Sequence, residues 1–162
     1  MAKTAGSVRV SKWENDIYHE GGKRKEYSEL SADKQGVIRA RLKVLQNAMY
    51  AKLSDKTVKL RTDNSEIVVG FTKKGTDHVA RDLMLTLSGK YMSEKSMMNI
   101  DTILAQSAYV PTSHKLYKNR KDGIEHFFRY KDKTGREVYF KVAYHSKRRD
   151  NKTYYLYSVT DK

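Results

Sequence analysis

The chain has no cysteine, a single proline (Pro111), and no apolar run near the roughly 18 residues that a membrane-crossing helix needs. Without cysteine there is no disulfide, thiolate zinc centre, iron–sulfur cluster or cysteine nucleophile. The opening residues MAKTAGSVRV have no hydrophobic signal-peptide region. No membrane partner is therefore expected, and a cytoplasmic site of action is, with delivery by a phage or a secretion system as an alternative route. There is no His-Glu-x-x-His, no paired-histidine spacing, no carboxylate cluster fit for magnesium or calcium, no phosphate-cradling glycine loop and no G-x-S-x-G. No metal and no cofactor is expected. Acidic residues are also scarce. Nineteen Asp and Glu face 33 Lys and Arg, leaving a net charge of +14 on 162 residues. That charge points to polyanionic partners, nucleic acid first among them.

The length supports one domain, alone or with a short arm. Residues 1–60 read as a basic N-terminal arm plus an amphipathic helix, and residues 61–162 as the main domain. Up to residue 30 the chain is polar and lysine-rich, an arm with one short helical turn. Residues 31–53 form a helix. Ser31 or Asp33 can cap it, and Ile38, Leu42, Leu45, Met49 and Leu53 make one apolar stripe. Thr57–Arg61 and Glu66–Phe71 are short extended pieces around the turn Asp63-Asn64-Ser65. Thr76 is the expected N-cap of a helix running to about Ser88, and a further helix spans about Ser96 to Gln106.

After Ser113 the period becomes two. The pattern predicts three strands, Ile124–Lys131, Glu137–His145 and Thr153–Thr160, in an antiparallel meander. Helices grouped before an antiparallel sheet argue an α+β fold, with the N-terminal helices packed on one face of a C-terminal sheet. Residues 113–162 hold fourteen Lys and Arg, six Asp and Glu, and seven of the twelve tyrosines. Cations neutralise phosphates, and tyrosine rings stack on unpaired bases. In the second strand Val138, Phe140, Val142 and Tyr144 form a core face opposite Glu137, Tyr139, Lys141, Ala143 and His145. In the third strand Tyr155, Tyr157 and Val159 alternate with Leu156, Ser158 and Thr160, and periodicity does not say which set is open.

His78 falls in the expected first turn of its helix, where the positive end of the helix dipole disfavours imidazolium, while Asp77 and Asp82 pull the other way. His126 lies among aromatic residues on the first strand of the meander. Histidine, lysine, arginine and tyrosine are the set that metal-free RNA cleavage needs. One group removes the 2′-OH proton, another protonates the departing 5′-oxygen, and cations hold the phosphorane.

The run IVVGFTKKGTDH (residues 67–78), two following helices, the aromatic EHFFRYKD, the strand GREVYFKV and the closing YYLYSVT together resemble the barnase–EndoU–colicin–RelE-like nuclease superfamily, in its phage-associated and polymorphic-toxin branches. The resemblance covers residues 64–162. It implies a barnase-like sheet carrying its site on the exposed face and metal-independent endoribonuclease activity on tRNA or other translation RNA. It also implies a role as a toxin or effector with a cognate immunity protein or antitoxin. Matched position by position, it makes His78, His126, Arg129, Lys141, Tyr157 and Thr160 catalytic. His78, His126, Glu125 and Glu137 stay open as the general base. His126 and Arg129 fall on opposite faces of a regular strand, so sharing one site requires a bulge. Lys73, Lys74, Tyr139, His145, Lys147, Arg148, Arg149 and Tyr155 are the expected RNA-binding residues. The rival expectation is a non-catalytic, basic nucleic-acid-binding or packaged protein of a phage or mobile element.

Overall fold

A computed structural model of the chain describes residues 16–63, 65–111, 123–132, 135–145 and 153–161, with backbone alone at 123, 124, 144, 145 and 153. Eight strands and four α-helices are assigned among them. They are β1 (His19–Glu20), β2 (Lys23–Arg24), α1 (Ala32–Leu53), β3 (Val58–Arg61), β4 (Glu66–Phe71), α2 (Lys73–Arg81), α3 (Glu94–Met98), α4 (Ile100–Ala105), β5 (Ala108–Val110), β6 (Gly123–Lys131), β7 (Glu137–His145) and β8 (Thr153–Thr160). The fold is α+β, with the helices on the N-terminal side of the long strands.

The expected helix 31–53 is α1, capped by the Ser31 side chain, which accepts from the Lys34 amide. Its buried residues are Ile38, Leu42, Leu45, Met49 and Leu53. Burying each such side chain contributes about 1.5–3 kcal/mol, so packing more than propensity holds this helix. Residues 16–30, expected as an arm, lie against the body. Tyr18 is buried and its hydroxyl donates to the Met84 carbonyl at 2.7 Å. Arg24 and the Tyr27 amide both hydrogen-bond Ser88. The expected short helical turn is the 3-10 turn Tyr27–Glu29. Tyr18, Leu30 and the α1 stripe share one core with the strands.

The expected meander is part of a larger sheet. Its order is β3-β4-β8-β7-β6-β5, with β4 and β8 parallel and every other pair antiparallel. Two features of this sheet lie outside the sequence expectation. One is β5, too short to announce itself by alternation. The other is the β4–β8 pairing, which joins segments some 80 residues apart and leaves no local signal. Val58, Leu60, Ile67, Val69, Phe71, Phe128, Tyr130, Val138, Phe140, Val142, Leu156 and Val159 all belong to the core shared with the helices. One face of the sheet is thus covered. Helix α4 touches both β3 and β6, four places apart in the strand order.

The middle helices depart from expectation. Thr72, not Thr76, is the N-cap, and its hydroxyl oxygen accepts from the Gly75 amide at 3.0 Å. Gly75 reads as a helix breaker by propensity. Here it lies so close to β8 that a Cβ would clash with the Leu156 carbonyl oxygen. After Arg81 the helix widens into a π turn, Asp82–Thr86, with the Leu87 amide donating to the Asp82 carbonyl five residues back at 2.8 Å. The expected helix 96–106 is two short helices that meet at Asn99.

Candidate active site

The site is built on the sheet face opposite the helices, and a β-bulge shapes it. β6 and β7 pair without interruption from Gly123↔His145 to Lys131↔Glu137. Between β7 and β8 the register shifts, because Val142 pairs with Leu156 while Lys141 pairs with Ser158. Tyr157 is the extra residue. In a regular strand Ser158 and Thr160 would share the face of Leu156. The bulge reverses the alternation, so Leu156 and Val159 both enter the core. Tyr155, Tyr157, Ser158 and Thr160 are left with the outer face. Neither alternating set of the third meander strand is therefore open as a whole, and a bulge has no local sequence signature.

On that face the Tyr157 hydroxyl donates a very short hydrogen bond to Glu125 Oε1. Glu125 is buried, 1% exposed, and pairs in register with Ala143. Next along β7 stands Lys141, its Nζ 5.3 Å from the centre of the Phe127 ring. Arg129 is exposed and its Nε lies 3.4 Å from Glu137 Oε2. Tyr139 and Thr160 are register partners at the same face, and Tyr155 pairs with Ala143. The outer face thus collects a buried carboxylate, three phenols, an ammonium and a guanidinium.

Helix α2 and the π turn border this face. β4 pairs with β8 only as far as Phe71↔Leu156. Beyond that point the outer edge of β8 meets Asp82. One oxygen, Asp82 Oδ2, accepts from Ser158 Oγ at 2.9 Å and from the Val159 amide at 3.0 Å. The same oxygen lies 3.1 Å from His78 Nδ1. The His78 side chain is 51% exposed and that of Asp82 14%. His78 therefore stands in the second turn of α2, and the first-turn dipole argument does not apply to it. Its ring is governed by a carboxylate one turn further on.

His126 is not part of this cluster. It projects from the covered face, between the rings of Tyr109 and Tyr154, each 5.4 Å away centre to centre. The bulge that would bring it to Arg129 lies in β8, not β6, so β6 keeps its regular alternation. Of the expected RNA contacts, Tyr139 and Tyr155 are on the outer face. Lys73 is held by Asp77 at 2.6 Å, while Lys74 is exposed on α2. Lys147, Arg148, Arg149 and the side chain of His145 lie outside the described residues. Sequence reasoning set Asp82 against His78, as their i, i+4 spacing allows, without counting it among the site residues, and it missed Ser158, which owes its place to the bulge.

Among the described residues no three His, Asp or Glu side chains converge as a metal ion would require, and no helix is long and apolar enough to cross a membrane. Comparison with curated proteins and with solved structures finds no match. A family model does match, over residues 40–155, from the middle of α1 through the bordering helices to the start of β8. That span takes in His78, Asp82, Glu125 and Lys141, and by it the chain belongs to the family described as large polyvalent protein-associated domain 3 (LPD3).

Proposed function

We propose that this chain is a metal-independent endoribonuclease of the barnase–EndoU–colicin–RelE-like type, a toxin or effector that cleaves cellular RNA through the RNA's own 2′-OH. The observation that carries this reading is the β8 bulge. It sets Tyr157, paired with Glu125, immediately before Ser158 and Val159, which are bound to the Asp82 oxygen that also meets His78. Two proton-handling pairs thus meet at successive residues of one strand, beside Lys141.

In this mechanism His78 takes the 2′-OH proton as the O2′–P bond forms. Tyr157 turns its O–H from Glu125 to the 5′-oxygen and gives up that proton as the P–O5′ bond breaks, leaving a 2′,3′-cyclic phosphate and a 5′-OH. Lys141 and Arg129 stabilise the charge that builds on the phosphorane oxygens. Tyr139 and Tyr155 offer rings to unpaired bases, and Thr160 adds a hydroxyl at the rim. The resemblance also implies a cognate immunity protein or antitoxin, which a cell making this nuclease would need.

The test is incubation of the full chain with total RNA and end-labelled tRNA in EDTA, beside Lys141→Ala. Cleavage to cyclic-phosphate ends that disappears in the variant is the expected result. Intact RNA with the wild-type chain, together with salt-dependent RNA binding, would instead make this a non-catalytic nucleic-acid-binding protein.

A further inference from the structure

We infer that Asp82 is a positioning residue for both halves of this site, orienting the His78 ring and clamping the β8 bulge that presents Tyr157. The inference rests on the ribonuclease reading and deepens it.

Where β4 ends, the outer edge of β8 needs an acceptor for the Val159 amide, or that donor would be buried unpaired. A neutral acceptor would serve. The fold instead places a mostly buried carboxylate there, and burying a charge is costly unless several donors surround it. Ser158 Oγ and Val159 N provide two, both at Oδ2. His78 Nδ1, at 3.1 Å, is the third group at the same oxygen.

That contact decides which ring nitrogen does chemistry. With Nδ1–H directed at the carboxylate, Nε2 is left to exchange a proton with substrate. The Asp82 carboxylate also holds the backbone just after Tyr157, so a displacement of Asp82 moves both proton-transfer groups. The π turn that begins at Asp82 fits this role, since such single wide turns are common at functional sites.

The experiment uses the full chain labelled with 15N at histidine, as wild type and as Asp82→Asn, Asp82→Glu and His78→Ala. His78 is assigned from the signal missing in His78→Ala. Two readouts are taken: the ring nitrogen shifts of His78, and kcat and KM for cleavage of a labelled RNA. The wild-type ring should be the Nδ1–H form. Asp82→Asn should lose that preference and lower kcat about a hundredfold with KM within about threefold, the scale of a misplaced general base. Asp82→Glu, which restores the charge, should recover part of kcat. An Nε2–H ring in the wild-type chain overturns the inference without any variant, so a misfolded Asp82→Asn does not protect it. A folded Asp82→Asn with wild-type kcat, alongside an inactive His78→Ala, overturns it while leaving the ribonuclease reading intact. If the wild-type chain cuts no RNA, that reading fails by itself. The hold of Asp82 on the ring is then judged from the shifts alone, and unchanged shifts in Asp82→Asn overturn it.

Discussion

The two faces of the six-stranded sheet are made by the same strands, residue by alternate residue, and they do opposite work. The covered face is closed by Phe128, Phe140, Val142 and Leu156, each at most 1% exposed. The outer face carries Lys141, Arg129, Tyr139, Tyr155, Tyr157 and Thr160, all at least partly accessible, around the buried Glu125. Adjacent residues therefore have unrelated roles. Phe140 and Lys141 are neighbours in the chain, as are His126 and Glu125, yet in each pair one lies on the covered face and the other on the outer face. Of the histidines expected at the site, His126 lies on the covered face between Tyr109 and Tyr154, and His78 borders the outer one.

This contrast can be broken residue by residue. The largest effect is expected from Phe140→Ala, which opens a cavity in the covered face. It should cost about 3–5 kcal/mol of unfolding free energy, read from denaturant titration. A loss below 1 kcal/mol would mean that the covered face is not the core. Its neighbour Lys141→Ala should leave the unfolding midpoint nearly unchanged. It should slow RNA cleavage about 10²–10³-fold, the scale of losing one transition-state donor. Gly75→Ala tests the border between the faces. Pushing α2 off the Leu156 carbonyl should destabilise the chain by about 1–3 kcal/mol. It should also slow cleavage more than that loss of stability explains, because His78 and Asp82 move with the helix. Unaltered activity in a destabilised variant would detach α2 from the site.

Smaller effects sharpen the picture. Lys74, His78 and Arg81 are exposed and stand at i, i+4 and i+7 on α2, so they share one side of the helix. Lys74→Ala with Arg81→Ala should raise KM, leave kcat within about twofold, and flatten the salt dependence of RNA binding by roughly 1.4 in slope for the two contacts. An unchanged slope would mean the RNA does not cross this helix. Smallest of all, His126→Ala should keep cleavage within about threefold of wild type. Strong loss of activity in a folded His126→Ala would place the site on the wrong face.

Much of this was legible in the chain. The α1 stripe from Ile38 to Leu53 repeats at helical spacing, and β4, β7 and β8 begin and end where alternation and turn residues put them. Local patterns of this kind need only neighbouring residues. The start of α2 was not legible, because Gly75 is a poor helix former whose use is its approach to a distant carbonyl. Nor was the separation of His126 from the site settled, since alternation named two faces without saying where a bulge would fall.

The sequence by itself determined the α+β order, the excess of positive charge, the absence of thiol chemistry, and the residue types from which a metal-free site can be made. These follow from composition and from short periods of 2 and 3.6. Tertiary structure decided which of those residues meet. Parallel pairing of β4 with β8 brings α2 to the edge of the meander, and the bulge at Tyr157 reverses the faces of the last strand. One carboxylate, Asp82, then joins the two. Such contacts depend on register and on residues about 80 positions apart, and no local pattern encodes either.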